Sequence, residues 1–118
     1  ARRQRQMCIR DSYHPDADEP GPTLYRDLCD KNSVPAKMRG LYHYYGFATA
    51  HVLVEGLRKA GKYPTRERMM KGLETLHKWE SGVFPPITYS RNDHAGVESV
   101  ILLQLQGGKQ VAITDWRN

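Results

Sequence analysis

Cysteine is scarce in this sequence. The 118 residues include only Cys8 and Cys29, which are too few for the disulfide framework of a small secreted domain and have no spacing typical of a metal site. Cys29 follows Leu24 and Leu28 at helical spacing. This pattern predicts a buried thiol on a helix face.

Long apolar segments are also missing. No run of about 18 apolar residues, the length needed to span a bilayer, occurs in the chain. The basic residues 1–6 are followed by Met7-Cys8-Ile9-Arg10-Asp11, which lacks the apolar core of a signal peptide. We therefore predict no membrane insertion of this chain. The missing signal does not define the compartment, because we expect the natural N-terminus to lie further upstream.

Residue patterns that carry catalysis are absent as well. None of the five histidines lies in an HExxH-type motif, no serine lies in a Gly-x-Ser-x-Gly elbow, and no glycine-rich phosphate loop precedes a helix. Asp93 could orient the adjacent His94 as a base, but neighbouring residues on a turn rarely form that hydrogen bond. The sequence predicts a protein that is not an enzyme, with no catalytic residue, metal centre or cofactor.

Charge is unevenly distributed. The formal net charge is +5, but Arg2, Arg3, Arg5 and Arg10 against Asp11 contribute +3 within the first twelve residues, which leaves +2 for the other 106. A basic chain can bind nucleic acid, so a small basic nucleic-acid-binding module is one alternative function. Because the excess charge is mostly in one tail, this alternative is the weaker one, and we predict no nucleic-acid partner.

The N-terminal tail, residues 1–12, shows no hydrophobic period. It contains a string similar to those that sequencing adapters leave in translated sequences. We predict a disordered or artefactual tail outside the fold, with a genuine flexible basic arm as the alternative. Residues 13–118 are then the region that folds.

Apolar spacing predicts helices in the first two thirds of this region. A loop rich in Asp, Pro and Gly at residues 14–22 leads to a short helix at about residues 23–31, whose inward candidates are Leu24, Leu28 and Tyr25. A long helix at about residues 41–60 ends at Gly61, which supplies a left-handed stop. Its apolar stripe is predicted to face the core and comprises Phe47, Ala50, Leu53, Val54 and Leu57.

A third helix and then strands complete the pattern. Thr65 is a typical N-cap, and the inward residues of the following helix would be Met69, Met70, Leu73 and Leu76. After Pro86, Ile87 and Tyr89 alternate with polar residues as in a half-buried strand. Residues 97–106 form a second strand that is apolar on both faces, and Gly107 with Gly108 permits a hairpin turn to a return strand. The predicted fold class is α/β.

Three landmarks in residues 44–113 occur in the order and spacing of one known family. They are the Tyr45-Gly46-Phe47 helix start with its Ala60-Gly61 end, the Pro86-Ile87-Thr88-Tyr89-Ser90 strand leading to Asp93-His94-Ala95-Gly96, and the closing strand with Gly107-Gly108-Lys109. From about residue 13 onward, the sequence resembles the C-terminal part of the substrate-binding proteins of branched-chain amino acid ABC transporters. The resemblance depends on order and spacing together, because each landmark alone is weak.

This resemblance implies a fragment of a two-lobed type I periplasmic-binding-protein fold, with helices first and a terminal β-hairpin last. The function it implies is that of a periplasmic or otherwise extracytoplasmic component of an ABC importer. Such a component binds an amino acid or similar small polar solute by hinge closure and presents it to a permease. Residues 84–87 would form a hinge crossover. An alternative with the same fold is the ligand-sensing domain of a receptor or regulator.

The resemblance also implies where a ligand would touch this chain. Tyr44, and next to it Tyr45, would form an aromatic wall against the apolar part of the ligand. The alternative is that these rings pack the start of the long helix onto the rest of the fold. The groups that hold the ammonium and carboxylate of an amino acid in the family lie outside this chain.

Overall fold

A computed structural model describes residues 7–118 as an α/β chain with three α-helices and a three-stranded sheet. The elements in chain order are β1 (Met7–Arg10), α1 (Pro20–Lys31), α2 (Leu41–Ala60), α3 (Arg66–Glu74), β2 (Ile101–Gln106) and β3 (Lys109–Ala112), with a short 3-10 helix at Ala36–Met38. The helices pack on one another and the strands pair separately. We call these parts the helical unit and the sheet unit.

In the sheet unit, β2 is the central strand and runs antiparallel to both neighbours. Met7 of β1 lies opposite Gln104 of β2, and Ala112 of β3 lies opposite Leu103 of β2. Ile101 and Leu103 are buried at alternate positions of β2, so one face of the strand supplies the apolar side chains of this unit. The predicted inner strand is confirmed over Ile101–Gln106, but it begins later than predicted and buries only one face, since Leu105 is 45% exposed.

The hairpin turn between β2 and β3 is made by two glycines. Gly107 has φ +57° and Gly108 has φ +81°. Both angles lie in the left-handed region that a two-residue type I′ turn requires, and only glycine adopts it at no steric cost. The predicted terminal β-hairpin is confirmed.

The structure differs from the prediction for the N-terminal tail. Residues 7–10 form β1, which pairs with β2, and Ser12 is buried, whereas we predicted no structure before residue 13. The pairing uses backbone groups along one edge of β2, which an isolated hairpin would leave unpaired. Residues 1–6 lie outside the described residues, so the prediction for them remains a prediction.

Helix α2 has the predicted bounds, and Gly61 ends it with φ +84°. Its buried side is different from the predicted one: Tyr44, Ala48 and Gly56 are buried. Most of the predicted stripe is exposed, to 46% at Leu53, 43% at Val54 and 41% at Leu57. The small residue Gly56 lets α3 approach closely, and this contact turns the apolar stripe away from the described core. We call Leu53, Val54 and Leu57 the open apolar face.

Helix α1 begins earlier than predicted, at Pro20, a residue suited to the first turn. The prediction that Leu24 and Leu28 face inward is wrong, because each is 40% exposed. The third inward candidate, Tyr25, is confirmed at 2% exposure, and Cys29 is buried with it at 3%. Tyr25 directs the packing because its ring lies against core aromatic rings of α2. The predicted buried thiol of Cys29 is confirmed.

Two glycines set the contact of α2 with α3. A Cβ atom at Gly72 would lie 2.6 Å from Cβ of Lys59, and one at Gly56 would lie 2.8 Å from Cδ2 of Leu73. The predicted N-cap is confirmed, because the backbone N–H of Arg68 donates to Oγ1 of Thr65 over 3.2 Å. Of the predicted inward residues of this region, Leu76 is buried and Met69, Met70 and Leu73 are half-buried.

After α3, the chain keeps the predicted alternation without forming a regular strand. Ile87 is buried and Tyr89 half-buried, while Thr88 and Ser90 are exposed. Ile87 and Trp79 exchange two backbone hydrogen bonds of 2.9 Å. These bonds tie Ile87 to the segment after α3, and the hinge crossover at residues 84–87 stays a prediction.

The chain crosses between the units at residues 11–12 and 97–100. On the helical side, the backbone N–H of Tyr13 donates to the carbonyl of Val83 over 2.9 Å. On the sheet side, Val100 and Arg117 pair through backbone hydrogen bonds of 2.7 and 2.8 Å. The C-terminal residues therefore return to the point where both crossings occur, and this point is the junction of the two units.

Candidate functional site

A cavity of about 330 Å³ lies at the junction of the two units. Its walls bring together the loop before α1, the segment after α3 and the C-terminal residues. We call it the junction cavity and define it by its aromatic and acidic lining residues Tyr13, Glu19, Glu80, Phe84 and Trp116. Its volume is within the range of small-molecule sites.

Tyr13 and Trp116 fix one wall of this cavity. Their rings meet edge to face with centroids 4.8 Å apart, and Nε1 of Trp116 donates a hydrogen bond of 3.1 Å to the Tyr13 hydroxyl. Burial raises the pKa of Tyr13, and the carboxylates of Glu19, Asp115 and Glu80 raise it further.

A second hollow, of about 440 Å³, lies between α2 and the segment that follows Phe84. Its lining is mainly apolar and includes Leu53 of the open apolar face together with Ile87 and Tyr89. Among the residues that line it, none carries a charge. This hollow therefore suits contact with apolar groups.

Tyr44, the first predicted ligand contact, lies in the core of the helical unit. Its side chain is 0% exposed, and its ring centroid is 5.1 Å from that of Tyr25 and 6.1 Å from that of Phe47. Burial raises its pKa, and its hydroxyl has no hydrogen-bond partner among the described residues. Tyr44 thus packs the start of α2 into the helical unit, and its contact with a ligand stays a prediction.

Tyr45, the second predicted contact, is half-buried beside it. A row of rings continues along the same helix, because Phe47 stacks on His51 and His51 stacks on Trp79, each pair with centroids 5.8 Å apart. The aromatic residues of this region are therefore mostly committed to packing. Tyr42 is the exception, at 91% exposure.

Tyr25 anchors the other side of this aromatic core. Its hydroxyl lies 2.9 Å from Nδ1 of His43. Burial, with a further contribution from the neighbouring Cys29 thiol, raises the pKa of Tyr25 to about 12. Tyr25 therefore remains a neutral phenol at physiological pH, and its hydroxyl can donate a hydrogen bond to the imidazole of His43.

The unpartnered hydroxyl of Tyr44 gives a first testable prediction. Tyr44→Phe is expected to raise the free energy of unfolding by about 1 kcal/mol, because a buried hydroxyl without a partner has lost its hydrogen bonds to water. Tyr25→Phe is the matched control and should lower it by about 1 kcal/mol, since that hydroxyl is hydrogen-bonded. Urea denaturation of both variants measures the difference. A loss of stability in Tyr44→Phe would contradict the prediction and indicate an acceptor for this hydroxyl.

The histidine considered as a possible base is not oriented by its neighbour. Nε2 of His94 lies 3.2 Å from Oε1 of Glu74, while Oδ1 of Asp93 accepts the backbone N–H of Ala95 over 2.9 Å. Both His94 and Asp93 are exposed. Within residues 7–118 no three His, Cys, Asp or Glu side chains are grouped as metal ligands, and no helix is apolar over a length sufficient to cross a membrane.

The sequence did not predict the junction cavity. Tyr13 and Trp116, which form its wall, are separated by 103 positions. Neither belongs to a local motif, and Glu19 and Glu80 lie in segments where acidic residues normally face solvent. Only the two crossings of the chain bring these side chains together.

This chain is similar to known proteins both in sequence and in structure. A model of the periplasmic binding protein family matches residues 6–110. The crystal structure of a branched chain amino acid ABC transporter from Thermus thermophilus with bound valine has the same fold, with a TM-score of 0.80 and 22% sequence identity. The likeness covers 94% of this chain and 32% of that structure, so this chain spans about a third of its length. No curated protein sequence matches this chain.

Proposed function

The chain belongs to the periplasmic binding protein family, and we propose that it is part of the extracytoplasmic solute-binding component of an ABC importer. The match to the family over residues 6–110 is the observation that carries this proposal. The solute is a branched-chain or related amino acid, or a similarly small polar molecule. The protein works by binding, not by catalysis, and it delivers the solute to a membrane permease.

The junction of the two units supports closure as the mechanism. The helical unit and the sheet unit are joined by residues 11–12 and 97–100. Among the described elements, the extensive contacts join helix to helix or strand to strand, and none joins a helix to a strand. Rotation about two such crossings changes the angle between the units without disturbing either core. In a two-lobed protein, the same rotation closes a cleft on a solute.

The open apolar face supports the view that this chain packs against further protein. Leu53, Val54 and Leu57 project from the middle of α2, where a helix of a complete lobe would be covered. The solved structure that shares this fold is about three times as long, since the likeness covers 32% of it. We propose that the complete protein has two lobes and that this chain contributes part of each.

In the complete protein, Tyr44 and Tyr45 are the residues of this chain that we propose as ligand contacts. Tyr45 is the better placed of the two in the described residues, because its half-buried ring retains accessible surface while the ring of Tyr44 has none. An aromatic ring would cover the apolar side chain of a branched-chain amino acid. The contact of Tyr44 would require movement of its neighbours Tyr25 or Phe47.

Calorimetric titration with valine and leucine tests the proposed function. The 118-residue chain should bind either amino acid no more tightly than millimolar, about 4 kcal/mol, because half of a cleft cannot enclose a ligand. The complete two-lobed protein should bind one of them or a similar solute far more tightly. In that protein, Tyr45→Ala should weaken binding about tenfold, while Tyr42→Ala, on the exposed side of the same helix, should have no effect.

Two results would contradict this proposal. Micromolar binding by the 118-residue chain alone would show that the site does not need a second lobe. A complete protein that binds no amino acid or small polar solute would show that the family assignment does not extend to this class of ligand.

A further inference from the structure

Basic residues are concentrated at one end of the helical unit, where α2 ends and α3 begins. Residues 58–71 contain six cations and one acid, a net charge of +5, although residues 13–118 together carry only +2. The remainder of that region therefore has a net charge of −3. We call the six cations the basic end: Arg58, Lys59, Lys62, Arg66, Arg68 and Lys71.

The cations of the basic end are exposed and mostly lack a carboxylate partner. All six residues are exposed. Among the described residues, only Arg58 of this set forms an ion pair, over 3.7 Å with Glu55. Their charge is therefore largely free to attract an anionic partner.

The packing of α3 on α2 gathers three of these cations around one hollow. Gly72 lies against Lys59, since a Cβ atom placed there would be 2.6 Å from Cβ of Lys59. Lys59, Arg68 and Lys71 line a hollow of about 370 Å³, and no acidic residue is found among the described residues that line it. Lysine and arginine bind phosphate oxygens, so this hollow suits a phosphate group.

The first turn of α3 carries cations against the usual preference. The helix dipole favours acidic residues there and disfavours basic ones, yet Arg66 and Arg68 flank Glu67. Arg68 regains one hydrogen bond, over 3.0 Å to the carbonyl of Tyr63, while Arg66 forms no side-chain hydrogen bond within the described part of the chain. A local cost of this kind is typical of a surface that serves a function.

An exposed aromatic ring lies in the middle of the basic end. Tyr63 is 68% exposed, and all of residues 61–68 are exposed. Nζ of Lys62 lies 5.5 Å from the centroid of the Tyr63 ring. Tyrosine together with clustered basic residues is typical of contact with the headgroup region of a bilayer. Single-stranded nucleic acid stacks its bases on several rings, whereas residues 58–71 contain only this one.

We propose that the basic end docks on an anionic lipid surface, with its cations at the lipid phosphates and Tyr63 at the level of the headgroups. The contact is peripheral, because it is made by a loop and the adjoining helix ends. The inference does not rest on the proposed transport function, since it concerns a surface contained entirely within this chain.

Cosedimentation of the 118-residue chain with lipid vesicles tests this surface. We expect the chain to bind phosphatidylglycerol vesicles and to stay in solution with phosphatidylcholine vesicles, which carry no net charge. Raising the sodium chloride concentration should release the bound chain, because salt screens the attraction between exposed charges. Excess inorganic phosphate at constant ionic strength should not compete, since the proposed partner is a surface and not a free anion.

Charge variants identify the binding groups. The triple variant Lys62→Gln, Arg66→Gln, Lys71→Gln should weaken vesicle binding by about a hundredfold, because each cation near an anionic bilayer contributes about fivefold. The matched control is Lys31→Gln, Lys37→Gln, Lys109→Gln, which has the same net charge and alters α1, the 3-10 helix and β3. The control should bind nearly as well as the original chain. Both variants keep the basic residues 1–6, and circular dichroism confirms that both are folded.

A tyrosine pair separates the contribution of the ring. Tyr63→Ser should weaken vesicle binding severalfold, because it removes the aromatic contact with the headgroups. Tyr42→Ser is the matched control, since Tyr42 is 91% exposed but lies near the opposite end of α2. A rise of 1.5 Å per residue places it about 24 Å from Arg58.

Vesicle binding that the basic-end variant loses and the charge-matched control keeps supports the surface. Equal binding to phosphatidylcholine, no binding at all, full binding by the basic-end variant, or equal losses in the two triple variants would each overturn it. Full competition by inorganic phosphate would indicate a site for a free anion, and tighter binding to a DNA duplex than to vesicles would indicate a nucleic-acid partner. Either result also overturns the proposal. None of these outcomes depends on whether the complete protein binds an amino acid, so a failure here leaves the transport proposal standing.

Discussion

Replacing Gly21 by alanine is expected to lower the free energy of unfolding by about 3 kcal/mol. Gly21 lies at the start of α1 and is packed against the segment after α3. An added Cβ would meet a methyl group of Val83 and would lie 2.6 Å from the carbonyl oxygen of Gly82. A backbone atom cannot rotate away as a flexible side chain can, so the two segments must separate.

Gly46→Ala is the matched control for this substitution. Gly46 lies within α2, and nothing is found within 4 Å of a Cβ placed there. Alanine should therefore raise the free energy of unfolding by about 0.5–1 kcal/mol, because it restricts the unfolded chain and favours the helix. Chemical denaturation should show changes in the free energy of unfolding of opposite sign for the two variants. A neutral Gly21→Ala would show that α1 does not pack on Gly82.

The second large effect is expected at Ile87. Ile87→Ala should lower the free energy of unfolding by about 2–5 kcal/mol, because this side chain is 1% exposed and its loss leaves a cavity. Leu53→Ala removes a similar side chain that is 46% exposed, so its cost in this chain should be about 1 kcal/mol or less. Thermal unfolding of the two variants compares them directly. Equal losses would mean that the open apolar face is covered when the chain is free.

Some features of this chain are set by local chemistry and others by which neighbours pack together. Helix ends are set by local chemistry, so Gly61 and Thr65 could be identified from the sequence. The Gly107-Gly108 turn could be identified for the same reason. The inward side of a helix depends on which neighbour packs on it, and periodicity alone cannot supply that information. Leu53 belongs to a regular apolar stripe, yet Gly56 determines where α3 lies.

The same distinction applies to the candidate sites. A run of aromatic residues before a helix indicates that rings gather there, but it does not separate a ligand wall from a packed core. Tyr44 has 0% exposure in the described residues, and Tyr45 beside it is half-buried. The junction cavity depends on the partnership of Tyr13 with Trp116, which no local pattern encodes.

The open apolar face has a consequence for handling the protein. Three aliphatic side chains, each more than 40% exposed, lie together on α2 at Leu53, Val54 and Leu57. In water, such faces on separate molecules bury one another, so the free chain should self-associate increasingly as its concentration rises. Polar replacements at these positions would keep it dispersed, and they would do so without touching either the packed core or the junction.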